Sequence, residues 1–315
     1  MEREFLKNKV GELVEICKGA IEGGFSVVVT GHDMPDCDSI IAAVMLRILL
    51  SRLGVKAAVK FGTRPDRLTE RDTKRLGIFD EIAFDGFDEG DALVLVDHHQ
   101  CFYKADVIAC VDHHLTPPEP DFSFNLVLKA SSCGRIVYDM AAACGVADDF
   151  MEKLAIYSVY LDTQSTLAPK FVESDLPWLK ESIVRLGLDE NELIRAGFCL
   201  NSLEENVCEL AMYGYKRYEF DGRFGASTYV QVDPAEDGWQ GKIGEILELL
   251  KSKRALEGAC LWVFLVNMPS VARSDLYFIR ESGVEVVRLD RLASRSRDVV
   301  PAVMREATRK AQDNI

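Results

Sequence analysis

The hydrophobic pattern of the chain alternates between short apolar runs and longer segments with helical spacing. After an amphipathic helical segment at 1–24, the run 25–30 (FSVVVT) is short and β-branched and predicts a buried strand. The apolar run 40–50 (IIAAVMLRILL) predicts a helix. Two wholly apolar runs, 92–96 (ALVLV) and 107–111 (VIACV), are typical of the strands that parallel sheets bury. This alternation predicts an α/β fold with a doubly wound, mainly parallel sheet in the N-terminal part.

The alternation continues toward the C-terminus and predicts a second, smaller α/β domain. The segment 192–218 is interpreted as mostly helical. Further helices are predicted at 64–76, 131–144, 150–163, 173–185, 242–253 and from 300 onward, and further strands at 55–61, 226–232, 260–266, 276–279 and 284–289. The polar stretch LDENE is a candidate linker. We therefore expect a helical extension (1–24), a first domain (25–187), a linker (188–192) and a second domain (193–315).

Composition and charge narrow the classes of partner. A net charge of -14 over 315 residues argues against duplex nucleic acid, because sequence-independent affinity for it comes from Lys and Arg on the phosphates. A small anion stays possible, since a bound metal reverses the local charge. The nine cysteines show no Cys-x-x-Cys spacing, and the chain has no apolar stretch of transmembrane length and no signal-peptide pattern. We therefore expect a cytoplasmic protein with reduced thiols and no membrane contact.

The histidines are the first chemical signal. All five lie in the first 114 residues, each within two residues of an aspartate: His32, His98, His99, His113 and His114. Scattered core or surface histidines would spread along the chain, so this clustering favours a metal or catalytic site. The stretch 31–39 (GHDMPDCDS) joins a predicted strand to a predicted helix and contains His32, Asp33, Asp36 and Asp38. Such donors beside a helix N-terminus suit a divalent cation with a phosphate group, and a solvated turn with capping residues is the alternative.

Two predicted strands end on the same tripeptide. They lead into Asp97-His98-His99 and Asp112-His113-His114, at the strand ends where doubly wound sheets place their ligands. Six residues could together supply ligands for two cations: His32, Asp36, Asp38, Asp97, His113 and Asp162. Imidazole with carboxylate suits Mn²⁺, with Co²⁺, Mg²⁺ and Zn²⁺ as competitors. Two ions that share a carboxylate would activate a water for in-line phosphoryl displacement without a protein nucleophile.

The motifs Gly31-His32-x-x-Pro35-Asp36-x-Asp38-Ser39 and Asp112-His113-His114 resemble the DHH phosphoesterase superfamily. Within it the chain is similar to the manganese-dependent (family II) inorganic pyrophosphatases over about residues 25–310, including Leu161-Asp162 and Ser294-Arg295. The resemblance implies two α/β domains with the active site in the cleft between them. It also implies that the first domain holds the metals and that the second brings basic side chains onto the phosphates.

Residue roles follow from the same resemblance. It implies one ion on His32, Asp36 and Asp97, and the other on Asp38, Asp97, His113 and Asp162. His114 would contact the substrate, Asp97 would bridge the ions, and Asp97, His114 and Arg295 would be the catalytic residues. Arg195, Arg295 and Arg297 would bind the substrate phosphates. The structural alternatives are a packing or orienting role for His98 and His99, and a solvated basic face for the C-terminal arginines.

Several positions depart from the family pattern. Ser296 stands where the Ser-Arg-Lys signature has its lysine, although Arg297 follows one place later. Arg195 replaces a phosphate-binding lysine, and an arginine fork does not act as a lysine point charge does. Met34 replaces an asparagine, and the turn at 131–133 is also altered. These departures touch substrate recognition rather than metal ligands, so hydrolysis of a phosphoanhydride is better supported than pyrophosphate as the substrate.

We therefore expect a cytoplasmic, manganese-dependent phosphoanhydride hydrolase, with inorganic pyrophosphatase as the leading hypothesis and a homodimer as a candidate assembly. The alternatives are an exopolyphosphatase, a phosphodiesterase acting on short oligonucleotides or nucleotides, and a non-enzymatic metal-phosphate sensor. The nucleotide-cleaving branch usually carries a glycine-rich, histidine-containing C-terminal motif. This chain has no histidine after His114, which counts against that branch.

Overall fold

The computed structural model describes residues 3–99, 105–115, 122–195, 206–220, 222–232 and 239–312. The chain divides into two compact units. The first comprises residues 1–166 with 170–196, and the second comprises 167–169 with 197–315. Among the described residues, no helix has the length and apolar character needed to cross a membrane.

The first unit is built around a parallel sheet. Its elements are α1 (Arg3–Glu22), β1 (Ser26–Thr30), α2 (Cys37–Arg52), β2 (Ala57–Val59), α3 (Arg67–Arg75), β3 (Asp91–Val96), β4 (Asp106–Asp112), β5 (Phe124–Val127), α4 (Cys133–Ala143), α5 (Asp149–Asp162), α6 (Leu176–Leu186) and α7 (Glu190–Arg195). The strands lie in the order β2-β1-β3-β4-β5, and every pairing is parallel. The order reverses between β1 and β3, which is where open α/β sheets form their ligand crevice at the carboxyl ends of the strands.

Alternating side chains of β1 pack on opposite faces of this sheet. Val27 and Val29 join the main core with α1, α2, α4 and α5. Val28 joins a smaller cluster on the other face with Leu93 and Leu95 of β3. Helix α2 is apolar around most of its circumference and is correspondingly buried, because it packs against the sheet as well as α4 and α5. This burial fixes the position of its first turn, where Asp38 lies.

The second unit is a mixed sheet with helices. Its elements are α8 (Val207–Met212), β6 (Lys216–Phe220), β7 (Arg223–Gln231), α9 (Trp239–Glu257), β8 (Trp262–Met268), β9 (Arg273–Arg280), β10 (Gly283–Leu289), a π-helical turn (Arg295–Val299) and α10 (Val300–Gln312). The strands lie in the order β10-β9-β8-β7-β6, with β7 and β8 parallel and the other pairs antiparallel. Leu261, Val263 and Leu265 pack against Val299 and Val303 to form its core.

The predicted α/β fold class is confirmed, and one local prediction is wrong. Residues 216–218, at the end of the segment 192–218 that was interpreted as mostly helical, belong to strand β6. Tyr218 and Phe220 alternate there and pack inward against the core, which a period of two explains. Strand β5 at Phe124–Val127 was missed because four residues carry too short a pattern. The predicted boundaries of the domains and linker stay predictions.

Candidate metal centre

The loop between β1 and α2 is shaped by a close approach at Gly31. A Cβ at this position would lie 2.7 Å from the Cβ of Ser39, so a larger residue would displace the first turn of α2. Asp36 caps that helix, because its Oδ1 accepts a hydrogen bond from the Ser39 backbone N–H at 3.1 Å. The loop therefore places His32, Asp36 and Asp38 at the carboxyl end of β1.

The first cluster of candidate ligands, which we name the outer group, comprises His32, Asp36 and Asp97. The Nδ1 of His32 lies 2.9 Å from the carbonyl oxygen of Asp33, and because a carbonyl only accepts, Nδ1 is the donor. Its Nε2 then faces the Asp36 Oδ2 at 3.7 Å and the Asp97 Oδ2 at 3.6 Å. A histidine with Nδ1 held by a backbone carbonyl presents Nε2 as a ligand. The Asp36 side chain is 55% exposed, so this group opens to solvent.

The second cluster, which we name the inner group, comprises Asp38, His113 and Asp162. They come from the first turn of α2, the residue after β4 and the last residue of α5. The Nδ1 of His113 lies 3.2 Å from the carbonyl oxygen of Ala130, and its Nε2 faces the Asp38 Oδ2 at 3.8 Å and the Asp162 Oδ2 at 3.7 Å. All three side chains are at most 9% exposed.

Asp97 joins the two groups. It follows β3 directly and adopts a left-handed backbone with φ of 63°, a conformation that aspartate tolerates better than most residues. Its Oδ2 lies 3.6 Å from the His32 Nε2, and its Oδ1 lies 3.2 Å from the His113 Nε2. The Ser39 hydroxyl donates a hydrogen bond to Oδ2 at 2.6 Å. Each carboxylate oxygen thus faces a different group, which is the arrangement of a bridging ligand.

The atoms that face the inner group fit a cation. Asp97 Oδ1, His113 Nε2 and Asp162 Oδ2 are buried, and each lacks a hydrogen-bond partner within the described part of the chain. Buried polar atoms almost always have a hydrogen-bond partner. Three buried atoms without one in a single cluster therefore indicate a site for a bound group. Neighbouring ligand atoms with bonds of about 2.1 Å to one ion lie roughly 3.0 to 3.4 Å apart, somewhat closer than most of the separations found here, so small side-chain movements would bring these atoms onto an ion. The mixed imidazole and carboxylate donors of the two groups therefore fit divalent cations.

The start of α4 holds Asp38 in place. The carboxylate accepts hydrogen bonds from the backbone N–H groups of Cys133 (2.7 Å) and Gly134 (2.9 Å) and from the Ser158 hydroxyl (2.6 Å). These donors lie at a helix N-terminus, where the macrodipole favours a negative charge. A Cβ at Gly134 would lie 2.4 Å from the Ser158 Oγ, so only glycine allows the three elements to meet. The sequence alone gave no sign of this support.

Charge crowding shifts the ionisation of both groups. Burial and the negative charges of Asp97 and Asp162 raise the pKa of Asp38 well above its usual range. Burial lowers the pKa of His32, but the carboxylates of the outer group outweigh burial and raise this pKa to about 10. Burial likewise lowers the pKa of His113, and the surrounding carboxylates raise it to about 10. The protein alone therefore carries an excess of negative charge here, which protons or divalent cations neutralise.

The predicted substrate residues of the second unit lie on its π-helical turn. Arg295 donates from Nη1 to the Gly214 carbonyl oxygen at 2.9 Å and lies over the Tyr229 ring. Arg297 donates from Nη2 to the Leu292 carbonyl oxygen at 3.0 Å. Single π-turns are frequent at functional sites. The side chains of Arg195 and Ser296 lie outside the described residues.

Comparison with known protein families identifies the first unit. Residues 26–171 match the family described as DHH family, N-terminal domain. This part of the chain is a DHH domain. The match spans β1 to the segment after α5 and includes all six candidate metal ligands. The resemblance to the DHH superfamily that the motifs indicated is confirmed over these residues.

Two relatives align with most of the chain. A manganese-dependent inorganic pyrophosphatase of Methanothrix thermoacetophila is 24% identical over 277 residues, which cover 81% of this chain and 85% of the relative. A protein of the same name from Methanocaldococcus jannaschii is 24% identical over 314 residues, covering 88% of this chain and 98% of the relative.

Solved structures show that the fold extends beyond the DHH domain. A Methanococcus jannaschii protein assigned as a family II inorganic pyrophosphatase superposes with a TM-score of 0.69 at 21% identity, covering 90% of this chain and 99% of that one. An exopolyphosphatase-related protein from Bacteroides fragilis superposes with a TM-score of 0.51 at 13% identity, covering 95% of each chain. At these identities the likeness concerns the fold.

Asp112 of the DHH domain organises histidines without facing either metal group. Its Oδ1 accepts hydrogen bonds from the backbone N–H groups of His113 (2.7 Å) and His114 (3.0 Å) and from the His114 Nδ1 (2.9 Å). Its Oδ2 lies 2.8 Å from the His99 Nδ1. Burial raises the pKa of Asp112, but the hydrogen bonds from His114 and His99 outweigh burial and lower it. Asp112, the first residue of the Asp-His-His motif, thus stabilises the turn that orients His113 and His114.

Lys170 is the functional candidate of the DHH domain that sequence reasoning missed. Its ammonium pairs with the Asp162 Oδ1, on the side of the carboxylate opposite the oxygen that faces His113. Desolvation lowers the pKa of Lys170, but its contact with Asp162 outweighs desolvation and raises it. Nothing in the local pattern signals this contact, because Lys170 lies eight positions after Asp162, beyond a loop of seven residues.

Proposed function

We propose that this protein is a cytoplasmic, manganese-dependent inorganic pyrophosphatase, which converts pyrophosphate and water into two phosphates. The observation that carries the proposal is the placement of Asp97, whose two oxygens face histidines of two different ligand groups. Two relatives named as manganese-dependent inorganic pyrophosphatases support the substrate and the metal. The proposed partner is a small phosphate substrate, with no role for duplex nucleic acid, and the proposed assembly is a homodimer.

In this proposal His32, Asp36 and Asp97 hold one ion, and the other ion binds Asp97 together with the inner group. When bound, such a pair of ions lowers the pKa of a water and stabilises the charge that develops on the phosphoryl oxygens. The thiols nearby do not compete as nucleophiles: burial and neighbouring carboxylates raise the pKa of Cys37 and of Cys133 well above the usual range. A water is therefore the proposed nucleophile.

The remaining proposed roles belong to side chains that contact the substrate. His114 is half-exposed, and Asp112 holds its Nδ1, which leaves Nε2 available to a phosphate oxygen. This arrangement suits His114 to donate a hydrogen bond, or a proton, to the leaving phosphate. Arg195, Arg295 and Arg297 are proposed to bind phosphate oxygens. Arg295 and Arg297 would exchange backbone carbonyls for the substrate, since an anion is the stronger acceptor.

An exopolyphosphatase is the second candidate, because Ser296 replaces a lysine that the family uses at the phosphates. One missing point charge weakens recognition of a compact anion more than recognition of a long chain with many phosphates. Both functions use the same metal chemistry and differ only in the length of the substrate.

The test is phosphate release by manganese-loaded protein from pyrophosphate, tripolyphosphate and a dinucleotide, each measured at the same concentration. We expect pyrophosphate to be hydrolysed fastest. The control is Asp85→Asn, which changes an exposed aspartate of the first unit and should retain full activity. Faster release from tripolyphosphate would favour the exopolyphosphatase, and cleavage of the dinucleotide would favour a phosphodiesterase. Manganese binding without release from any of them would leave a metal-phosphate sensor.

A further inference from the structure

The two oxygens of the Asp162 carboxylate have different neighbours, one of which is the Lys170 ammonium. The Lys170 ammonium pairs with Oδ1, whereas Oδ2 faces the His113 Nε2 at 3.7 Å and has no hydrogen-bond partner in the described residues. The lysine therefore lies at the edge of the inner group and leaves the oxygen that faces its interior unobstructed. The Lys170 side chain is 46% exposed, so about half of it faces solvent rather than other residues.

The backbone that returns the chain to Asp162 is unusual. Gln164, Ser165 and Thr166 have φ values of 50°, 61° and 66°, which place three successive non-glycine residues in the left-handed region. Such residues are strained and persist where the surrounding structure holds them. The Ser165 N–H donates to the Tyr160 carbonyl at 2.8 Å, and the Thr166 N–H donates to the Thr163 hydroxyl oxygen at 3.1 Å. This reversal after α5 brings Lys170 to the end of the same helix.

The reach of the lysine charge extends over both metal groups. Besides Asp162, the negative charges of Asp36 and Asp97 act on the Lys170 ammonium. Asp36 belongs to the outer group and Asp97 joins the two groups, so the ammonium lies within electrostatic reach of both.

Charge balance changes when the ions bind. The candidate ligands Asp36, Asp38, Asp97 and Asp162 carry four negative charges when ionised, and two divalent cations cancel them. The attraction that holds the ammonium on Asp162 is then largely lost. A pyrophosphate, with about three to four negative charges, becomes the strongest anion within reach of Lys170.

We propose that Lys170 is a substrate-binding residue of the loaded site, which exchanges Asp162 for a phosphate oxygen of the phosphoanhydride. This inference rests on the proposed function and assigns a phosphate contact to the DHH domain itself. The alternative is a positioning role, in which Lys170 orients Asp162 as a ligand and acts only on metal affinity.

Two measurements on Lys170→Met separate these roles. We expect KM for pyrophosphate, at saturating Mn²⁺, to rise about 10- to 100-fold, because a hydrogen bond between charged groups is lost. The Kd for Mn²⁺, measured by calorimetric titration without substrate, should stay unchanged or fall, since removing a positive charge favours cations. Lys170→Arg should recover most of the KM, and Lys180→Met, an exposed lysine on α6, should match the wild type in both.

Opposite outcomes overturn the proposal. A Mn²⁺ Kd at least 10-fold weaker in Lys170→Met, with a wild-type KM once Mn²⁺ is saturating, would assign Lys170 to positioning Asp162. Wild-type values of both would leave the lysine without a role. Binding of imidodiphosphate, a non-hydrolysable pyrophosphate analogue, to the manganese-loaded wild type separates the two proposals. If the wild type neither binds it nor hydrolyses a phosphoanhydride, the proposed function itself fails, whereas normal wild-type behaviour with an unaffected variant overturns only the role of Lys170.

Discussion

The outer and inner groups use the same donor types but are built differently. In the outer group, His32 and Asp36 come from one loop, and their side chains are 32% and 55% exposed. In the inner group, Asp38 and His113 are 1% and 5% exposed, and the members come from three separate elements. The outer group is held mainly by local contacts, whereas the inner group depends on the packing of α2, α4 and α5.

This difference predicts different behaviour toward cations. A buried group whose ligands are already oriented loses little freedom on binding, so the inner group should hold its ion more tightly. The outer group is open to water and should exchange its ion faster. Burial of the inner group also lowers the folding stability of the metal-free protein, because the carboxylates of this group are desolvated and repel one another. Variants that affect one group, or both, can test this contrast.

The largest effect should come from Asp97→Asn, since Asp97 serves both groups. We expect turnover of pyrophosphate to fall about 1,000-fold, because a shared charged ligand contributes several kcal/mol to charge stabilisation. Asparagine suits the left-handed backbone at this position, and its side-chain oxygen can still accept from Ser39, so the fold should persist. Steady-state kinetics at saturating Mn²⁺ provide the measurement.

Stability supplies the internal check on this variant. The metal-free form of Asp97→Asn should unfold within a few degrees of metal-free wild type, because the loss of one crowded buried charge offsets the loss of its pairing with the protonated His32 and His113. A loss of activity together with a much lower unfolding temperature would instead mean that the substitution damages the fold. Retained activity would remove Asp97 from the bridging role.

The matched pair Asp38→Asn and Asp36→Asn compares the groups directly. Both Asp38 oxygens accept hydrogen bonds, so the variant's amide N–H₂ would face a donor from α4 or Ser158. We expect this clash of donors to lower the free energy of unfolding by about 1–3 kcal/mol. Asp36 is a helix cap, and asparagine caps as well as aspartate, so Asp36→Asn should lose only its solvent-screened pairing with His32 and should cost less stability than Asp38→Asn. Urea unfolding of the metal-free proteins measures both values.

Metal binding completes the comparison. Each variant should lose affinity for one ion, and only Asp38→Asn should weaken the tighter of two calorimetric binding events, by about 100-fold. If Asp36→Asn weakened the tighter event instead, the assignment of the stronger site to the inner group would be wrong. Equal losses of stability in the two variants would contradict the difference in their hydrogen bonding.

The sequence predicted which candidate ligands lie close together better than it predicted the contacts that support them. His32, Asp36 and Asp38 lie within one short loop, and Asp97 and His113 each follow an apolar strand, so local pattern and parallel-sheet geometry bring them to one edge. The supporting contacts join residues far apart in sequence. Ser158 is 120 positions from Asp38, and Gly134 is 96 positions away. No local pattern encodes such pairs, because they arise only when three helices pack.

The second unit shows the same limit. Alternation predicted β7, an apolar run predicted β8, and β9 and β10 were also predicted as strands. The first residues of β6 were assigned to a helical segment, because its alternating pattern is short and its pairing with β7 is not visible in its own sequence. The sequence singled out Arg295 and Arg297 by their resemblance to a signature. It did not reveal that a π-helical turn presents them, or that Asp298 holds this turn through Arg291 and the Ser294 backbone N–H.

The smallest predicted effect is the pH dependence of the metal-free protein. The pKa values of His32 and His113 are raised to about 10, so the folded state holds protons that the unfolded chain releases near pH 6.5. This stabilisation is fully present below about pH 6.5 and is lost as the pH rises toward 10, and the raised pKa of Asp38 acts in the same direction. The unfolding temperature in EDTA should therefore fall by a few degrees between pH 6.5 and pH 9, and Mn²⁺ should flatten the profile because the ions replace the protons.

Single substitutions measure how much each group contributes to the pH dependence of the unfolding temperature. His113 lies in the inner group, where solvent screens its carboxylate neighbours least, so His113→Gln should remove more of the slope than His32→Gln. Thermal unfolding of the two variants across the same pH range makes the comparison. A larger change in His32→Gln would mean that the exposed carboxylates govern the charge balance, and that burial does not distinguish the two groups in solution. A larger change in His113→Gln would mean that the repulsion between carboxylates comes chiefly from the inner group. The cation would then be needed mainly by the ligands that α2, β4 and α5 bring together.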